Sequence, residues 1–155
     1  MIVERNKTTM LAIKAVIVIF ILLETSNILT MYFSPDSKKA NAMGAFKAWE
    51  DSKQDPEIHN LLKYLVNWIA GTKLIFIVLL VMILLHGDDN ILIFTGLTMA
   101  LAISSFYWRL FPSIRKMDEA GNIEPNGYSK TLGMMIGVFI IVFLVATVIS
   151  GLSIF

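Results

Sequence analysis

Apolar residues gather into four long blocks, residues 9–33, 61–85, 91–111 and 132–155, separated by shorter polar connections. At about 1.5 Å rise per helical residue, each block is long enough to cross a hydrocarbon core of about 30 Å. The pattern predicts an all-α polytopic membrane protein. Its four transmembrane helices form an up-down bundle and a single domain over residues 1–155. The first block exceeds the roughly 7–15 apolar residues of a signal-peptide core. Glu24, Ser26 and Asn27 stand where a small-residue cleavage site would be needed, so it reads as a retained span.

The connections carry patterns of their own. In residues 38–53, Ala42, Met43, Phe46 and Trp49 recur mostly at helical spacing among Lys39, Lys47, Glu50, Asp51 and Lys53. This predicts an amphipathic helix at the membrane interface, and a short linker helix packed under the bundle fits the same pattern. Asp55-Pro56-Glu57 reads as a helix start: Asp55 caps, and Pro56 takes the first helical position. The second helix then covers residues 56–85, roughly 45 Å at 1.5 Å per residue. Residues 113–130 contain the turn signals Ala120-Gly121-Asn122 and Pro125-Asn126-Gly127, and read as a short hairpin or an ordered loop.

Polar residues inside the spans are costly in lipid and so are informative. Glu24 lies about nine residues before the end of the first block, or about 13 Å deep. Asn27 follows one turn later on the same face. Lys73 sits at matching depth on the next, antiparallel helix, so the two opposite charges are expected to face the bundle interior and interact. Asn67, Ser104, Tyr107 and Arg109 complete an expected polar cluster in the same half of the bundle, shaped as an ion pair or a ligand site. Arg109 reads either as a snorkelling residue or as an anion clamp shared with Lys63 and Lys130.

Small residues recur at Gly96, Ala100 and Ser104 and at Gly133 and Gly137. Such stripes let helices approach closely, within the monomer or in a homo-oligomer. Lys and Arg are concentrated in the two longer connections, with only Arg5, Lys7 and Lys14 on the other side. The positive-inside rule therefore predicts a multi-pass protein of the cell membrane with cytoplasmic longer loops and both termini outside.

Composition narrows the function classes. The chain is 56% hydrophobic and 16% charged, with a formal net charge of +1, which offers no case for nucleic-acid binding. The absence of cysteine excludes disulfides, thiolate metal sites and cysteine nucleophiles. His86-Gly87-Asp88-Asp89 reads as a polar turn rather than a metal site. No nucleophile-and-base motif and no phosphate-cradling glycine loop is present, so no catalytic residue, metal or cofactor is assigned. The expectation is a non-enzymatic binding or accessory protein whose partners are membrane lipids. The alternative is a small oligomeric transporter or channel in which Glu24 and Lys73 respond to ions or protons. A lipid-modifying enzyme using Glu24 as acid or base stands third.

Overall fold

The computed structural model describes residues 2–152, with side chains from Met10 onward. Six α-helices and one 3₁₀ turn follow in order: α1 Ile2–Phe33, the turn Met43–Ala45, α2 Lys47–Ser52, α3 Pro56–His86, α4 Asp89–Ser104, α5 Phe106–Glu119 and α6 Tyr128–Gly151. Four stretches are long and apolar enough to cross a membrane: Met10–Phe33, Pro56–His86, Asp89–Glu119 and Tyr128–Gly151. The protein is thus an all-α polytopic bundle.

Each span buries one stripe. On α1, Met10, Ile13, Ile17 and Phe20 recur at spacings of three and four, and Ile28 and Met31 resume the stripe. On α3 the stripe is Val66, Ala70, Ile77 and Leu80. Phe20 marks the crossing of three helices. Its ring meets Phe76 of α3 edge-on, with centroids 6.4 Å apart. It meets Phe139 and Phe143 of α6 at 5.8 and 5.6 Å. Helix α1 packs on both α3 and α6, and α4 packs chiefly on α6. Although a short turn joins α3 to α4, the two make few contacts, so within the bundle α3 leans chiefly on α1.

The third span is interrupted at Ser105. Ser104 and Ser105 donate their hydroxyls to the carbonyls of Ala100 and Ala102, at 2.7 and 2.6 Å. Such back-bonding competes with the helical ladder and favours a bend. At 16 residues α4 alone is about 24 Å long, short of a full crossing, so α5 completes the span.

The connections differ from the sequence pattern in extent. Residues 38–53 do not form one helix; they form the 3₁₀ turn and the six-residue α2. Ala42, Ala45 and Trp49 are buried, so the apolar face of this segment turns into the protein, as the linker-helix reading requires. A hydrogen-bonded knot explains the shortening. The Trp49 indole N–H donates to Asp36 Oδ1 at 2.7 Å, and Lys53 Nζ lies 2.9 Å from the same oxygen. Ser52 Oγ lies 2.8 Å from His59 Nδ1, tying α2 to the first turn of α3. That turn starts where expected, with Asp55 accepting from the Glu57 and Ile58 amides at 3.0 and 3.3 Å.

The connection over 113–130 is likewise shorter than expected, because α5 runs on to Glu119. Ile114 is buried while Arg115 and Glu119 pair on the outer face at 2.7 Å, an i,i+4 bridge that supports helix. The second half of α5 is therefore a further amphipathic helix on this side of the molecule, beside the short α2. In the remaining loop, Gly127 adopts φ +85°, a left-handed conformation that favours glycine. Asp118 caps α6 by accepting from the Gly127 and Ser129 amides at 3.0 and 2.8 Å and from the Ser129 hydroxyl at 2.6 Å. The two connections meet. Lys47 N donates to Asn122 O at 3.0 Å, Glu124 N donates to Ala45 O at 2.8 Å, and Lys38 pairs with Glu124 at 2.7 Å. They form a cap over one end of the bundle, below called the loop end.

Candidate functional site

The seams of α1 and α3 each carry one charged residue where an apolar one would continue the pattern. Glu24 follows Phe20 by four on α1, and Lys73 sits between Ala70 and Ile77 on α3. They form a salt bridge, with Lys73 Nζ 2.7 Å from Glu24 Oε2. The side chains are 21% and 29% exposed for Glu24 and Lys73, so the pair lies within the α1–α3 contact without being sealed. Asn27 Nδ2 donates to the other carboxylate oxygen, Oε1, at 3.2 Å.

On the opposite flank of α1 an open cavity of about 1250 Å³ lies between α1, the α4–α5 junction and α6. Its lining is mostly apolar, with Phe20, Leu23, Phe106, Leu110, Met135 and Phe139 prominent. Polar groups enter from each wall: Glu24, Ser26 and Asn27 from α1, Ser105 from the α4–α5 junction, Arg109 and Ser113 from α5, Thr131 from α6, and Asn41 from the loop. Ser105, Arg109 and Ser113 recur every four residues, so Ser105 at the start of α5 leads onto the face that carries Arg109 and Ser113. Glu24 therefore bridges two environments, touching Lys73 on one side and lining the cavity on the other, with Asn27 bonded to it and lining the cavity as well.

Arg109 stands apart from this pairing. Among the described residues its guanidinium has no carboxylate partner and donates no hydrogen bond. Its one assigned contact is with the ring of its neighbour Trp108, at 5.7 Å from the centroid. Ser26, Asn41 and Ser113 likewise have no side-chain hydrogen-bond partner among the described residues.

The expected cluster divides. Glu24, Asn27 and Arg109 line the cavity, and Lys73 joins it through Glu24. Ser104 and Tyr107 do not line it. Their hydroxyls bond backbone, Ser104 on its own helix and Tyr107 on α6 through Gly133 O at 2.6 Å. Asn67 is exposed on α3, off the buried stripe. Lys63 and Lys130 are exposed and lie outside the lining, so they share no clamp with Arg109. Asn41, Ser105, Ser113 and the Met134–Met135 pair belong to the lining although the sequence pattern did not single them out for it. The four-residue spacing on α5 is the signal that could have found Ser105 and Ser113.

Both small-residue stripes face helices of the same chain. A Cβ on Gly96 would collide with the Thr147 hydroxyl of α6 and the Ile13 side chain of α1. One on Gly133 would lie 2.7 Å from the Phe111 ring, and one on Gly137 3.0 Å from the Tyr107 hydroxyl. Asp88 caps α4 by accepting from Ile91 N at 2.8 Å, as a polar turn would. Among the described residues no three His, Cys, Asp or Glu side chains gather closely enough to hold a metal ion. No protein-family model, curated protein or solved structure matches this chain.

Proposed function

We propose that this protein is a non-enzymatic, lipid-binding protein of the cell membrane, taking an anionic amphiphile into the cavity between α1 and α5. The observation that carries this reading is the combination of a large, apolar, open cavity with Arg109 on its wall, an exposed arginine that rests on the Trp108 ring and has no carboxylate partner among the described residues. At about 1250 Å³ it exceeds the roughly 300–1,000 Å³ of ordinary small-molecule pockets and suits a flexible hydrocarbon tail. Met134 and Met135 are soft, unbranched lining for such a tail. Arg109 supplies a planar fork of donors matched to a phosphate or carboxylate. The Lys and Arg distribution supports a cytoplasmic loop end, which would draw the amphiphile from the inner leaflet.

Native mass spectrometry of protein extracted in mild detergent tests the reading. A phospholipid-mass adduct is expected on the wild type. A hydrogen bond to a charged group contributes about 1.5–3 kcal/mol, so Arg109→Leu is expected to weaken retention by about tenfold or more. Leu110→Trp, which fills the cavity from an exposed position, is expected to displace the tail. Arg115→Gln, outside the lining, is expected to leave the adduct unchanged. A wild type that carries no lipid, or adducts indifferent to both lining substitutions, would overturn the reading.

A further inference from the structure

The charges around the cavity specify the ligand's head more narrowly than "anionic", an inference that rests on the lipid-binding reading above. Glu24 is already neutralised from behind by Lys73, through Oε2, and that cation does not line the cavity. Arg109 on the facing wall is the cavity's cation without a counter-charge among the described residues. The two walls are held at neighbouring levels by α6. Phe20, one turn from Glu24, packs on Phe139 and Phe143. Tyr107, half a turn from Arg109, bonds to Gly133 O and faces Gly137.

In a low-dielectric site, uncompensated charge is costly, so the bound state is favoured when the sum over ligand and walls is zero. Glu24 and Lys73 cancel, and Arg109 leaves one positive charge. A head carrying one negative charge closes the balance. A dianionic phosphomonoester would place its second charge against the Glu24 carboxylate. A zwitterionic head would bring a cation that no free carboxylate in the lining answers. The remaining polar groups are uncharged. Ser26, Asn41 and Ser113 have free hydrogen-bonding capacity toward the cavity, and they complement hydroxyl groups rather than a methylated ammonium.

We infer that the site selects a monoanionic phosphodiester lipid with a hydroxylated head group, its phosphate on Arg109 and its hydroxyls toward Ser26, Asn41 and Ser113. The Glu24–Lys73 pair acts as a selectivity element that is neutral to this head and repels a second negative charge.

The test is a competition in mixed micelles holding equal mole fractions of phosphatidylglycerol, phosphatidylcholine and phosphatidic acid, read by native mass spectrometry. Wild type is expected to retain phosphatidylglycerol about tenfold over phosphatidylcholine, whose phosphate meets Arg109 equally but whose ammonium adds a cation the lining does not answer, and also to prefer it over phosphatidic acid. Arg109→Gln is expected to abolish the first preference. The double variant Glu24→Gln with Lys73→Met is expected to keep the first preference and lose the second. Wild-type retention of phosphatidylcholine or phosphatidic acid equal to that of phosphatidylglycerol overturns this inference while leaving lipid binding standing. Retention of no lipid of any class overturns both. The wild-type selectivities decide these outcomes whether or not a variant folds.

Discussion

At the scale of single residues, Glu24 and Lys73 replace apolar side chains on two packed seams, so their charges are tolerated because they meet. The Lys73 ammonium and Glu24 carboxylate are 2.7 Å apart. Removing one partner of a fully buried pair costs about 3–5 kcal/mol, much of it the cost of the charge left behind. These side chains keep part of their exposure, so a smaller loss, about 2–3 kcal/mol, is expected for Glu24→Gln or Lys73→Met alone. The double substitution is expected to restore most of that stability, since it leaves no orphan charge. Thermal unfolding of the four species in one detergent gives the double-mutant cycle. Additive losses would mean that the two charges do not stabilise one another. This pairing was legible in the sequence because depth alone constrains it: two helices joined in sequence and running antiparallel bring equal depths together. Arg109 was legible as a residue near a boundary, but its lack of a partner was not, since that depends on what α1 and α6 present opposite it.

At the scale of elements, the loop-end cap is a small electrostatic structure with a defined pH window. The Lys53 ammonium, followed by the Trp49 indole N–H, holds the Asp36 carboxyl below its ordinary range. Lys38 does the same for Glu124. A carboxyl with a depressed folded value contributes stability above its unfolded value and loses it as pH falls through the folded value. Lys53 is held above its ordinary range by the Asp36 and Glu50 carboxylates. Its contribution is therefore complete below its unfolded value and disappears as pH rises through the folded one. The cap should thus be closed across neutral pH and open first under acid, below the ordinary carboxylate range of about 4. Hydrogen exchange at the Met43 and Gly44 amides, which donate to Pro35 O and Ser37 O at 2.8 and 3.1 Å, reads this directly. After correction for intrinsic rates, protection should fall at low pH, and Asp36→Asn should be less protected at neutral pH. Unchanged protection in that variant would remove Asp36 from the cap. The sequence was a good guide to the four spans, because an apolar run of about twenty residues has few other solutions. It misled on the connections for a physical reason. Residues 38–53 have helical spacing, but Trp49 is drawn back to Asp36 and residues 45–47 pair with residues 122–124, long-range contacts that spacing does not encode. Conversely, the charges after Ser113 looked like loop, yet Ile114 and the Arg115–Glu119 pair make them the solvent side of a helix.

At the scale of the whole molecule, the cavity occupies the half of the bundle nearest the loop end, so orientation decides which leaflet it samples. The loop end carries Lys38, Lys39, Lys47, Lys53, Lys63, Arg115, Lys116 and Lys130, against Arg5, Lys7 and Lys14 at the other end. Several of these cations are locally paired, Lys38 with Glu124, Lys53 with Asp36 and Glu50, and Arg115 with Glu119. The topological rule counts Lys and Arg rather than net charge, so this pairing leaves unchanged the proposal that the loop end faces the cytoplasm. The chain has no cysteine, which makes any introduced thiol unique. His86→Cys and Lys116→Cys place such thiols at exposed positions on opposite ends. With a membrane-impermeant maleimide on intact cells, His86→Cys should label, and Lys116→Cys should label only after permeabilisation. The reverse pattern would put the cavity against the outer leaflet. Arg109 would then meet the lipids of that face, and the inner-leaflet source of the bound amphiphile would be wrong even if the charge balance within the cavity were right.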